Sequence, residues 1–146
     1  NAVVQGNKEE VKKYLAEGMN LNQAVNEDGS TALQVAAVFD RTEIALLLIE
    51  NGADIEVKKD DGATALHVAS FFGRVELVKA LLEKGADKTV KTNDGASALD
   101  SVSSSFEEVR PVYEFLEGLL APVGFKLDYD LLQENRPKIA EMLRAE

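Results

Sequence analysis

The sequence predicts an all-α solenoid of stacked helix pairs, and three observations carry that prediction. Gly29, Gly62 and Gly95 stand 33 residues apart, and each opens a near-copy of one phrase: Gly-Ser-Thr-Ala-Leu-Gln-Val-Ala, then Gly-Ala-Thr-Ala-Leu-His-Val-Ala, then the more worn Gly-Ala-Ser-Ala-Leu-Asp-Ser-Val. Aligned from their glycines, residues 29–61 and 62–94 agree at 17 of 33 positions, too many for coincidence. Inside each copy the apolar residues recur at helical spacing, so each copy is a supersecondary unit that stacks on the next rather than part of one globule.

The first element precedes the clear copies. Lys8 to Glu17 followed by Gly18 resembles the second helix of a copy, and Ala2 to Gln5 would be the remnant of its first, so residues 1–28 are expected to form a truncated N-terminal repeat. Gly18 to Gly29 is one residue longer than Gly52 to Gly62, which predicts an inserted residue in the first hairpin. In the repeat at 29–61, Thr31 starts a helix, Asp40-Arg41 interrupts, and Ile44, Ala45, Leu48 and Ile49 form the packing face of a second helix before Gly52-Ala53-Asp54. In the repeat at 62–94, Thr64 caps a helix near 64–72, Gly73-Arg74 breaks it, and Leu77, Val78, Leu81 and Leu82 mark the amphipathic face of the next helix. Gly85 ends it as a left-handed terminator, and a polar connector leads through an extended hairpin to Gly95.

The copy at 95–127 degrades. Ser101, Ser103, Ser104 and Ser105 stand where apolar residues or alanine are expected, Phe106–Leu120 reads as its second helix, and Pro111 predicts a start or kink there. Its end falls at Gly124 rather than Gly118, so the unit is lengthened. Residues 128–146 read as C-terminal capping helices, with Pro137 opening a helix that turns Ile139, Met142 and Leu143 to the stack. The whole of 1–146 is expected to be one domain.

Composition bounds the function. A chain of 146 residues with 45% hydrophobic residues can bury a continuous core, and 26 acidic against 16 basic side chains leave a net charge of -10. That field repels phosphate backbones and anionic headgroups, so neither nucleic acid nor membrane is expected as a partner. No apolar stretch approaches the roughly 20 residues that span a bilayer. The chain reads as soluble and monomeric, with a cytoplasmic setting ahead of a secreted or periplasmic one. It begins at Asn1 rather than Met, so residues ahead of it are expected to have been removed, and an upstream signal segment stays open. No cysteine is present, which removes thiolate chemistry and disulfides.

The period of 33, the Thr64-Ala65-Leu66-His67 variant of a Thr-Pro-Leu-His tetrapeptide and the recurring Gly-Ala-Asp resemble ankyrin repeats, most closely over residues 29–94. The resemblance implies antiparallel helix pairs with short β-hairpin loops, projecting as fingers at about a right angle and framing a concave surface. Ala32, Ala65 and Ala98 replace the family's proline, and only His67 keeps its histidine, with Gln34 and Asp100 at the equivalent places. The inter-repeat hydrogen bonds associated with that histidine are therefore expected only at His67.

Few residues suggest chemistry. His67 is the single histidine, and its place in the phrase predicts a structural role. The acid pairs Glu27-Asp28 and Asp60-Asp61 fit solvated hairpin tips, Asp54 and Asp87 recur singly as turn residues rather than calcium ligands, and no phosphate-binding glycine loop is present. No cofactor and no metal are expected. The informative residues lie where the family displays variable side chains: Val38-Phe39 and Phe71-Phe72 end successive first helices, and Ser104-Ser105 takes the third such place. Aromatic pairs on one surface suit a partner anchor, and the competing reading has one Phe of each pair filling a gap between stacked helices; Phe39 and Phe72 hold matching positions and are expected to behave alike. The candidate contact set is therefore Val38, Phe39, Phe71, Phe72, Ser104 and Ser105 with the finger residues Glu27, Asp28, Ser30, Lys58, Lys59, Asp60, Asp61, Ala63, Asn93 and Asp94. On this reading, replacing Phe39 and Phe72 by alanine weakens the partner and leaves thermal unfolding little changed.

The expected function is noncatalytic binding of a partner protein that bears a basic patch. Two alternatives remain at this stage: a targeting or inhibitory domain of a larger enzyme or regulatory protein, and a hydrolase built on paired acids and His67.

Overall fold

The computed structural model describes residues 2–145. Among the described residues there are nine α-helices, eight of which lie in two layers. The inner layer is α1 (Ala2–Gln5), α3 (Ala32–Val38), α5 (Ala65–Phe71) and α7 (Asp100–Ser103); the outer layer is α2 (Lys8–Ala16), α4 (Thr42–Glu50), α6 (Val75–Glu83) and α9 (Tyr129–Arg144). Each inner helix packs on its outer partner and on the inner helices beside it, and the outer helices touch in the same order. Leu33, Leu48, Leu66, Leu77 and Leu81 are fully buried between the layers, and each side chain removed from water contributes about 1.5–3 kcal/mol. Alanines 36, 37, 45 and 69 are as deeply buried, and their small size lets neighbouring helices approach.

The repeated phrase sets the helix starts. Thr31 accepts from Gln34 N at 3.4 Å while Gln34 Oε1 accepts from Thr31 N at 2.9 Å, a reciprocal cap that satisfies two backbone donors at the start of α3. His67 Nδ1 does the same for Thr64 N at 3.1 Å. His67 Nε2 lies 3.1 Å from the Ala96 carbonyl, which only accepts, so the ring proton is on Nε2. Gln34 reproduces that link through Nε2 to the carbonyls of Val57 at 2.8 Å and Ala63 at 3.4 Å. The inter-repeat bond expected only at His67 is thus made twice, because a glutamine amide offers the same acceptor and donor pair as a neutral imidazole.

The fingers are tight turns, and no strand occurs among the described residues. Gly62 N donates to Lys59 O at 2.8 Å and Gly95 N to Thr92 O at 2.8 Å, while Asp60 N reaches Asp28 O and Asn93 N reaches Asp61 O, each at 2.9 Å. One backbone–backbone bond per step links successive fingers, too few for a ladder. The first finger is closed by Val25 N to Ser30 O, a span one residue longer than that from Lys59 N to Ala63 O in the second, in line with the inserted residue expected in the first. Gly29 and Gly62 have φ of +82° and +86°, and a Cβ on them would meet Asp60 Oδ1 at 2.5 Å and Asn93 Oδ1 at 2.8 Å; at Gly95 nothing lies within 4 Å, so the row of fingers ends there.

The third copy departs from the sequence reading. Its inner helix shrinks to the four residues of α7, and the outer helix that pairs with α7 and stacks on α6 is α9. The expectation that Phe106–Leu120 is this outer helix is overturned: that segment is α8, an insertion that continues through a 3₁₀ turn at Ala121–Val123 and lies against the ends of the inner helices. Pro111 lies inside α8 without ending it. The last helix starts at Tyr129, capped by Asp128, so Pro137 falls within it rather than at its start.

Candidate partner-binding groove

The C-terminal ends of the inner helices carry the residues singled out as a recognition patch, and α8 together with the segment that follows it covers their aromatic rings. Phe125 stands edge-on to both Phe39 and Phe72, 5.7 Å from each ring centre, and is 3% exposed. Phe39 and Phe72 therefore do behave alike, but as packing: Phe72 is buried and Phe39 half-buried. Phe71 stacks on Tyr113 of α8 at 4.5 Å. Ser104 and Ser105 form the entry to the insertion, with Ser105 Oγ capping α8 through Glu108 N at 3.3 Å and the Ser104 carbonyl accepting from Arg136. An exposed aromatic ladder is thus replaced by an internal one. The expectation that alanine at 39 and 72 would spare stability falls with it, since both rings pack on Phe125.

A run of carbonyl contacts anchors the same helix ends. Arg41 Nη2 donates to Val4 O at 2.7 Å, and Arg74 donates from Nε to Ala37 O at 2.9 Å and from Nη2 to Val38 O at 2.6 Å. The next position in register is Glu107, which cannot donate. Tyr113 takes over: its hydroxyl donates to Phe71 O and accepts from Arg136 Nη1 at 2.8 Å. Arg136, 2% exposed, also donates to the carbonyls of Ser101 and Ser104 at 2.9 and 2.8 Å, so three hydrogen bonds to neutral oxygens hold its buried guanidinium. Burial raises the Tyr113 pKa, opposed by Arg136, which keeps the phenol a donor.

What α8 leaves open is a groove of about 470 Å³ between itself, the inner helices and the fingers. Its floor includes the equivalent residues Ser30, Ala63 and Ala96, with Gln34 and His67 beside them; Leu116, Leu119 and Leu120 of α8 form the wall, and Val38, Val68 and Phe71 the base. Asp28, Lys59 and Asp61 stand at the finger side. Lys59 Nζ lies 3.5 Å from Asp28 and 3.3 Å from Asp61, so one cation serves two carboxylates. Each of those aspartates also accepts a backbone amide two residues on, Ser30 N at 3.0 Å and Ala63 N at 2.9 Å. At Asp28 partial burial works against the charge, but the Ser30 bonds and the Lys59 ammonium outweigh it and lower the pKa.

Of the candidate contact set, Asp28, Ser30, Val38, Lys59, Asp61, Ala63, Phe71 and Phe72 line this groove; Glu27, Phe39, Lys58, Asp60, Asn93, Asp94, Ser104 and Ser105 do not. The leucines of α8 were missed because their segment read as an outer helix. In the groove both His67 nitrogens make structural hydrogen bonds, and Asp28 and Asp61 each accept a backbone amide of their own finger. Among the described residues no cluster of His, Asp or Glu could hold a metal ion, and no helix is long and apolar enough to cross a membrane.

A search of curated protein sequences finds no match. A family model of ankyrin repeats matches three copies over residues 1–92, which takes in the truncated first unit and the two clear ones. Ankyrin repeats are generally protein–protein interaction modules and typically noncatalytic. With the helix pairs, the reciprocal caps and the linked fingers all in register over that span, the chain belongs to the ankyrin-repeat family.

Proposed function

We propose that the chain is a noncatalytic module that holds a segment of a partner protein in the groove between its fingers and α8. The observation that supports this most is the groove itself: about 470 Å³ of largely apolar lining, with a ready-made wall and a charged edge. That is room for one or two bulky side chains, which is how a few buried anchors come to dominate an interface. The partner segment is apolar at its centre and basic beside it, since the chain carries a net charge of -10 and two carboxylates share a single lysine at the groove edge.

A displayed library of random peptides tests this directly. Panning is expected to enrich peptides with a large apolar residue flanked by Lys or Arg. Val38→Lys, which puts a charged chain into the base of the groove, is expected to abolish their binding. Asp28→Asn with Asp61→Asn keeps the oxygens that accept the Ser30 and Ala63 amides, removes two charges, and is expected to weaken binding about tenfold at low salt. Enriched peptides indifferent to Val38→Lys would show that the groove is not the site.

A further inference from the structure

Helix α8 is the least secured element of the groove that it walls. Of its 15 residues only Tyr113 is fully buried. Every helix of the two layers packs along another helix, whereas among the described residues the one element that α8 follows closely is the 3₁₀ turn that continues it. Its ties beyond Tyr113 are single contacts: Leu116 and Leu120 rest half-buried on the core, Arg110 lies over the Tyr129 ring at 5.1 Å, and Glu117 accepts from Leu127 N at 2.7 Å and from the Tyr129 hydroxyl at 3.1 Å.

The sequence of α8 does not make up for this. Pro111 is its sixth residue, so the helix loses the amide that would donate to the Glu107 carbonyl, and the proline ring crowds that carbonyl. Gly118 has ordinary helical backbone, and a Cβ there would meet nothing within 4 Å, so neither backbone geometry nor packing requires a glycine. Against alanine, glycine lowers a helix equilibrium about fivefold and an interior proline on the order of a hundredfold. Even a good helix-forming sequence of this length is marginal by itself in water. An element with few tertiary contacts and poor propensity of its own opens ahead of the rest.

The ends of the segment are fixed where its middle is not. Arg136 holds the Ser104 carbonyl, and Phe125 is buried against Phe39 and Phe72. Residues 105–124 can therefore melt between two anchors while the helix pairs keep their packing. Leu119 links this to the groove: it lines that space yet is 62% exposed, so water covers it until something fills the groove.

We infer that α8 is a strap that melts locally in the free protein and is ordered by an apolar occupant of the groove, so that binding completes the site. The inference rests on the groove being the place of binding. Helix and occupant supply each other's missing burial: the occupant covers Leu116, Leu119 and Leu120, and the formed helix covers the occupant. An occupant that fits only the closed form shifts the strap toward it by mass action.

Hydrogen exchange on the full chain tests this, first with the groove empty. Amides from Val112 to Leu120 are expected to exchange at least about a hundredfold faster than those inside α5 and α6. Gly118→Ala adds a methyl that meets nothing, and it is expected to slow exchange in α8 about fivefold while leaving α5 and α6 unchanged. The chain has no cysteine, so Ala96→Cys on the groove floor gives a single attachment point for an occupant. Alkylating it with a benzyl-bearing reagent is expected to slow exchange in α8 at least about tenfold relative to the same variant capped with iodoacetamide. Exchange in α8 as slow as in α5, or unchanged by Gly118→Ala, or unchanged by the benzyl group, would overturn the inference. None of these measurements uses a peptide, so panning that enriches nothing would count against the proposed partner and leave the strap standing.

Discussion

Single side chains here act mainly by satisfying backbone groups that the repeat leaves bare. Asp87 accepts from the hydroxyl and amide of Thr89 at 2.6 and 2.8 Å, and Asp100 from the amide of Ser97 at 2.8 Å. These bonds favour the carboxylate and lower both pKa values from 3.8, as the Ser30 bonds and Lys59 do for Asp28. A carboxyl whose folded pKa lies below its unfolded value adds stability that is complete above the unfolded value and disappears as pH falls through the folded one. The thermal midpoint is therefore expected to hold from neutrality down to about pH 5 and to fall below about pH 4. Asp87→Asn, which still accepts the Thr89 amide but does not titrate, is expected to make the fall shallower. Thermal unfolding followed by circular dichroism across that range checks both statements.

At the level of elements, α8 is held to α5 by one polar and one aromatic contact, and Tyr113 makes both. Tyr113→Phe keeps the stacking ring, removes the donor to Phe71 O and leaves Arg136 short of an acceptor. A loss of about 1–3 kcal/mol is expected in urea unfolding, the cost of leaving a buried polar group unmatched. The helices of the two clear copies were legible in the sequence because their determinants are local: Thr31 with Gln34, Thr64 with His67, and Gly52 and Gly85 at the exits, each within one turn of what it controls. The role of Phe106–Leu120 was not legible, since an apolar stripe announces a helix without naming its neighbour. One signal was available. Arg41 and Arg74 each precede an apolar pair by three residues, Ile44-Ala45 and Leu77-Val78, and the phrase recurs at Arg136 with Ile139-Ala140, which marks α9 as the outer helix and everything between as inserted.

Across the whole molecule the insertion changes how the array holds together. A plain stack is coupled only between nearest neighbours, and its ends can open one unit at a time. Here Phe125, at the end of the segment inserted within the third copy, touches Phe39 of the first clear copy and Phe72 of the second. The groove was likewise only half visible from the sequence: its floor repeats with the period, but its wall depends on this long-range return. Phe125→Ala is expected to cost about 3–5 kcal/mol as a buried aromatic. It should also lower the urea m-value and separate the transitions seen by different probes, as the units begin to unfold independently. Coincident transitions with an unchanged m-value would show that Phe125 fills space without coupling the copies.

The same wedge sets a schedule for biosynthesis. The two rings it shelters are translated well before it, Phe72 by 53 residues, which at the usual pace of about 5–20 residues per second leaves them uncovered on the ribosome for about 3–10 s. A nascent chain stalled between those points would offer a pair of bare phenyl groups to any chaperone at the exit tunnel, and release of that chaperone would coincide with emergence of the residue that closes over them.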